Sequence, residues 1–232
     1  MNRQEISKLY EKSKTYSIGS KFDELINSST LSINTLKFLG TLIDNYQPQN
    51  IIEFGSGLST YFFSEILKEK GNGHLFSIEN SSEYLNLTRE KVGNRGNITF
   101  FHSPISPFIF KRRKLYSYEQ SFIQNIPDLE FDLVLIDGPL GEVFNREGSL
   151  YLIIPFIKSE TLILLDDSNR EGEQQAILNW KKVWPNRMDI IEFVNLKKGL
   201  TLITINKPSM TKMNPFTLRQ IINSYRYSNF KS

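Results

Sequence analysis

No cysteine occurs in the sequence, which excludes disulfides, thiolate metal sites and cysteine nucleophiles. Long apolar runs are missing too: nothing approaches the ~20 residues that a membrane-spanning helix needs. The opening stretch from Met1 to Lys8 is polar where a secretory signal would carry an apolar core. Charge of one sign is in short supply, since 28 Lys and Arg stand against 25 Asp and Glu, a formal surplus of +3. That surplus is too small at this length to argue for nucleic acid or an anionic membrane as partner. No repeat, low-complexity tract or linker divides the chain. The expectation is a soluble cytoplasmic protein without a nucleic-acid or membrane partner.

What is there suffices for one full core: 232 residues, 39% of them hydrophobic and 23% charged. Residues 1–47 read as an N-terminal helical cap, packed on the rest of the chain. Ile6, Leu9 and Tyr10 recur at helical spacing, and so do Leu31, Ile33, Leu36, Leu39, Leu42, Ile43 and Tyr46, with Ser28, Ser29 and Thr30 as cap candidates. A main domain is expected over residues 48–206, followed by a tail at 207–232 with a helix over 215–227. That last helix would dock on its own domain or pair two subunits in a homodimer.

Within the main domain five short apolar runs alternate with helical patterns. Ile51-Ile52-Glu53-Phe54 leads into the turn Gly55-Ser56-Gly57, and a helix follows with Ser59 or Thr60 near its cap. His74-Leu75-Phe76-Ser77-Ile78-Glu79 and Ile98-Thr99-Phe100-Phe101-His102 are the second and third strands. Residues 104–130 look irregular and carry the basic run Lys111-Arg112-Arg113-Lys114, which serves as a solvated face or as a grip for phosphate. The fourth strand is Phe131-Asp132-Leu133-Val134-Leu135-Ile136-Asp137, and the fifth is Thr161-Leu162-Ile163-Leu164-Leu165-Asp166-Asp167. A helix through 150–157 lies between them, and a hairpin over 189–194 and 200–205 closes the domain. Such alternation predicts an α/β fold, a parallel sheet with helices on both faces and one antiparallel strand added at the end. Glu53, Glu79, Asp137 and Asp166 then meet where open α/β sheets bind ligands, beyond the C-terminal ends of the strands.

These motifs resemble the class I S-adenosylmethionine-dependent methyltransferases over about residues 48–206. The resemblance implies a Rossmann-like, doubly wound and mostly parallel seven-stranded sheet with an antiparallel C-terminal hairpin strand. Glu53-Phe54-Gly55-Ser56-Gly57 matches the family's first motif, whose turn lies against the methionine part of the cofactor. Glu79 matches the acid that holds the ribose diol, with Ser59, Asn80 and Ser103 as further cofactor contacts. A dinucleotide oxidoreductase is the rival, but its fingerprint asks for a third glycine where Thr60 stands. A non-catalytic module that binds S-adenosylmethionine is the other alternative.

The second half is similar to metal-dependent O-methyltransferases of the catechol and sugar types. That similarity makes Asp137, Asp166 and Asp167 magnesium ligands beside a hydroxyl of a small polar acceptor such as a sugar. Without a metal, Asp137 would bind cofactor or acceptor and serve as general base, with His102 second, and Asp166 would cap the next helical region. Arg146 and Arg170 fill arginine positions of related bacterial methyltransferases, as acceptor-binding residues or as salt-bridge partners of Asp137 and Asp167.

Overall fold

A computed structural model of the chain describes residues 2–27, 30–139, 145–196 and 198–206. The helix expected over 215–227 and the cap candidates Ser28 and Ser29 lie outside the described residues.

Seven strands form one sheet: β1 (Asn50–Phe54), β2 (His74–Glu79), β3 (Ile98–His102), β6 (Phe131–Ile136), β7 (Ile157–Asp166), β8 (Met188–Glu192) and β9 (Leu200–Ile205). Their order is β3-β2-β1-β6-β7-β9-β8. The first five are parallel, while β9 runs antiparallel to both β7 and β8. Each central strand splits its side chains between two cores, because successive residues point to opposite faces. Ile52, Phe54, Val134, Ile136, Ile163 and Leu165 face one core, and Ile51, Leu133, Leu135, Leu162 and Leu164 face the other. Both faces are therefore apolar and both are covered, which is why these strands read as continuous hydrophobic runs.

Helices α1 (Arg3–Ser13), α2 (Ile33–Tyr46) and α3 (Leu58–Lys70) close the second core with Ile6, Leu36, Phe38, Leu39, Phe62 and Phe63. A capping box starts α1: Asn2 Oδ1 accepts from Glu5 N at 3.0 Å, and Glu5 Oε2 accepts from Asn2 N at 2.7 Å. The cap of α2 is Ser32, accepting from Thr35 N at 3.1 Å. Thr30 instead closes a turn on Asn27. Arg3 reaches over to donate to the Ile190 carbonyl on β8 at 2.8 Å. Next to α3 lies α4 (Ser82–Val92), which Ser81 caps.

The first core is closed by α5 (Asn145–Ile153), α6 (Glu171–Val183) and an element that the sequence did not announce. Residues 104–130 contain a two-stranded hairpin, β4 (Ile105–Phe110) and β5 (Arg113–Tyr118). Lys111 and Arg112 form its turn, with φ of 46° and 66°. Leu115 and Tyr118 of β5 join Leu150, Ile153, Ala176 and Trp180 in this core. The helix expected over 150–157 begins earlier, at Asn145, and gives way to β7 at Ile157.

Candidate functional site

The chain leaves β1 toward β2 and β3 on one side, then returns to build β6 and β7 on the other. Open α/β sheets bind ligands where the direction reverses, here between the C-terminal ends of β1 and β6. Gly55 and Gly138 stand on the two sides of that point. A Cβ on Gly138 would meet Gly55 Cα at 2.9 Å and Gly55 N at 3.0 Å, so only residues without side chains let the two turns touch. Gly55 also has φ +98°, a conformation that L side chains rarely adopt. A Cβ at Gly57 would meet nothing within 4 Å, so the backbone there is open to an incoming molecule.

Glu53 lies beneath this turn, fully buried. Its Oε1 accepts from Thr60 Oγ1 and, at 2.7 Å, from Ser77 Oγ, while Oε2 has no hydrogen-bond partner among the described residues. Thr60 Oγ1 also accepts from Gly57 N at 2.8 Å. Glu53 thus fixes the glycine turn through Thr60. Burial pushes its carboxyl up to about 7, against the opposing hydrogen bonds from Thr60 and Ser77.

Glu79 ends β2 with both oxygens engaged by backbone. Oε2 accepts from Ser56 N at 2.9 Å, and Oε1 accepts from Asn80 N and Ser81 N at 2.8 Å each. A carboxylate has about four acceptor sites, so one remains for a ligand hydroxyl. Asn80 is part-buried here and accepts from His102 Nε2 at 3.1 Å if that nitrogen carries the proton. Ser103 is buried; its N donates to the Glu79 carbonyl at 2.8 Å and its Oγ to the Glu119 carbonyl at 2.9 Å. Three strand steps separate His102 from β6, roughly 14 Å at ~4.8 Å per step. His102 is grouped with Glu79, then, and not with Asp137.

The remaining acids do come together. Asp137, Asp166 and Asp167 each offer an oxygen within 4.8 Å of the others. Arg146, at the start of α5 and only 3% exposed, reaches into them. Its Nη2 lies 2.9 Å from Asp167 Oδ2 and 3.3 Å from Asp137 Oδ1, while Nη1 donates to the Asp166 carbonyl at 2.8 Å. Arg170 Nη2 pairs with the same Asp167 Oδ2 at 2.9 Å. Both arginines thus form the salt bridges that were one of their two expected roles; Arg170, with 52% of its side chain exposed, can also face an acceptor. Burial lifts Asp137 to about 6, opposed by Arg146 and assisted by the Asp167 charge. Asp166 is pushed up by burial and by both neighbouring aspartates. Neither of its oxygens has a hydrogen-bond partner among the described residues, nor has Asp167 Oδ1.

Two contributors escaped the sequence reading. Glu147, next to Arg146 and fully buried, accepts from Arg113 Nη1 at 2.6 Å and Nη2 at 2.9 Å. Tyr151 and Asn179 complete its bonds at 2.8 and 2.9 Å. The basic run is therefore not uniformly solvated: Arg113 turns inward and ties the hairpin to the helix that carries Arg146. Tyr118, from the same hairpin, is buried against Gly138.

A family model described as a methyltransferase domain matches residues 52–168, just over half of the chain. The span runs from β1 through the glycine turn to the acid pair after β7. The chain belongs to this methyltransferase family. A search of curated proteins returned no match. Among solved structures, the O-methyltransferase TomG from Streptomyces achromogenes, involved in tomaymycin synthesis and in complex with SAM, is 15% identical. The two superpose with a TM-score of 0.60 over 89% of this chain and all of that one. An O-methyltransferase from Bacillus cereus in complex with SAH is also 15% identical, with a TM-score of 0.57 over 89% of this chain and 92% of that one. At such identities the likeness shows the methyltransferase fold. The oxidoreductase alternative gives way to this membership, and Thr60 shows why the third glycine is missing: its hydroxyl bridges Glu53 and Gly57. No helix among the described residues is long and apolar enough to cross a membrane.

Proposed function

We propose that this methyltransferase takes its methyl group from S-adenosylmethionine and moves it to a hydroxyl oxygen of a small polar acceptor such as a sugar. The observation that carries the reading is the acid cluster: Asp137, Asp166 and Asp167 lie within 4.8 Å of one another, at the ends of the strands next to the glycine turn. The two solved neighbours in complex with SAM and SAH support the choice of donor.

The turn at Gly55 and Gly57 would lie against the methionine part of the donor, and Glu79 would accept from a ribose hydroxyl with Ser59, Asn80 and Ser103 close by. Methyl transfer is an in-line displacement, so the chain's main task is to align two reactants and exclude water. When bound, the donor supplies an electrophilic methyl on a sulfonium. Without a metal, Asp137, with its carboxyl near 6, would be mostly ionised at neutral pH yet basic enough to take the hydroxyl proton. Arg146 holds that carboxylate in place, and Arg170 reaches outward to a polyhydroxylated acceptor.

Magnesium suits the donor set, which consists of hard carboxylate oxygens, three of them without a hydrogen-bond partner among the described residues. Asp137, Asp166 and Asp167 would hold it. The ion would supply positive charge that lowers the pKa of an acceptor hydroxyl.

Calorimetry with S-adenosylhomocysteine, run beside NAD, tests the donor. Saturable binding of the first and none of the second is expected. No binding of S-adenosylhomocysteine at millimolar concentration would sink the reading.

A further inference from the structure

Tyr118 is a buried hydroxyl without a use. Its side chain has no exposed surface, and its Oη has no hydrogen-bond partner among the described residues. Leaving a hydroxyl unpaired in the interior costs about 1–3 kcal/mol, and a phenylalanine would fill the same core space without that cost. The ring alone is well accounted for, since it packs 5.4 Å from Phe54 in the core beneath β1. The oxygen is what needs a reason.

Its position supplies one. The hairpin base that holds Tyr118 is pinned to the end of β3, where Glu119 N donates to the Pro104 carbonyl at 2.8 Å and Ser103 Oγ to the Glu119 carbonyl at 2.9 Å. From there the side chain crosses below β1 to the switch point. A Cβ at Gly138 would stand 2.2 Å from Tyr118 Oη and 2.9 Å from Gly55 Cα. Room for the hydroxyl therefore exists only because Gly138 has no side chain. Tyr118 comes from the insertion between β3 and β6, yet it delivers its one polar atom to the place where the β1 and β6 turns meet. The charged groups that act on it are those of the site: Glu79, Arg146, Asp137 and Glu53.

We propose that Tyr118 is a donor-binding residue of this enzyme, its hydroxyl hydrogen-bonding the nucleoside where the ribose joins the sulfur-bearing chain. Contact requires the Gly55 and Gly138 turns to part slightly beyond the bond from Asp137 N to the Phe54 carbonyl at 2.9 Å, which holds the two strand ends together. The inference rests on the S-adenosylmethionine reading above.

The test is Tyr118→Phe, measured for S-adenosylhomocysteine affinity and for thermal midpoint with and without that compound. Loss of about fivefold in affinity, the scale of one neutral hydrogen bond, is expected with a midpoint in buffer alone that is unchanged or raised. Equal affinity in the variant and the parent would overturn the proposal. So would a lowered midpoint in buffer alone, which would make the hydroxyl a structural group. Failure of the parent itself to bind would instead remove the donor assignment on which the inference stands.

Discussion

Arg146 Nη2 stands 2.9 Å from Asp167 Oδ2 and 3.3 Å from Asp137 Oδ1, a single buried cation shared between two acids with a third, Asp166, alongside. Removing it would leave Asp167 on Arg170 and take from Asp137 and Asp166 the buried charge that faces them. Arg146→Ala should destabilise the fold by about 3–5 kcal/mol, read from urea denaturation. Added magnesium should recover part of that loss, because a divalent ion can replace the missing charge. A cost below about 1 kcal/mol would show that the acids are neutralised by protons instead.

Asp137→Asn tests the base. Turnover in the parent should fall as pH drops through about 6, where burial has raised the Asp137 carboxyl, since only the ionised form accepts a proton. The variant should lose about a hundredfold or more in kcat and with it this acidic limb. An unaltered pH profile would move the base elsewhere.

Glu53 gives a stability prediction with a definite sign. Its folded pKa, about 7, is raised above the ordinary 4.5, so its contribution is fully present below about 4.5 and is lost as pH rises through 7. Glu53→Gln should therefore gain on the parent at pH 8 by up to roughly 3 kcal/mol, at 1.36 kcal/mol per unit. Near pH 4 the two proteins should melt alike. A constant difference across that range would mean that the buried acid is ionised throughout.

Glu79→Ala should weaken S-adenosylhomocysteine binding about tenfold or more, as expected for a charged hydrogen bond. Unchanged affinity would leave the ribose without its assigned partner. Because Glu79 also accepts from Ser56 N, the variant's thermal midpoint must be read alongside.

The basic hairpin separates structure from surface at adjacent positions. Arg113→Ala should cost about 2 kcal/mol, since it strips two hydrogen bonds from the buried Glu147. Lys114→Ala should stay within about 0.5 kcal/mol. Equal effects at the two positions would contradict the inward turn of Arg113.

The acids at the strand ends were legible because a carboxylate after an apolar run has no place in a core. Periodicity sufficed for the sheet, as β6 and β7 are buried on both faces. The β4–β5 hairpin stayed hidden for a physical reason: its turn is Lys111-Arg112, both at positive φ, with none of the glycine or asparagine that marks such turns. Pro107 within β4 hid it further. Glu147 could not be read either, since its partner Arg113 lies 34 residues away and nothing local distinguishes a buried glutamate from a solvated one. Between Asp137 and His102 the sequence offered no distance; strand order provided it.

The small bond from Arg3 to the Ile190 carbonyl reaches the outer rim of the sheet. β8 is an edge strand, and such strands invite pairing with another chain through their free carbonyls and amides. The N-terminal helix takes one of those carbonyls, and Asp189 and Glu192 put negative charge along the same rim. Cutting away α1 would therefore do more than loosen a helix. It would turn a guarded border of the sheet into a template for self-association, far from the methyl-transfer site and with no change to its residues.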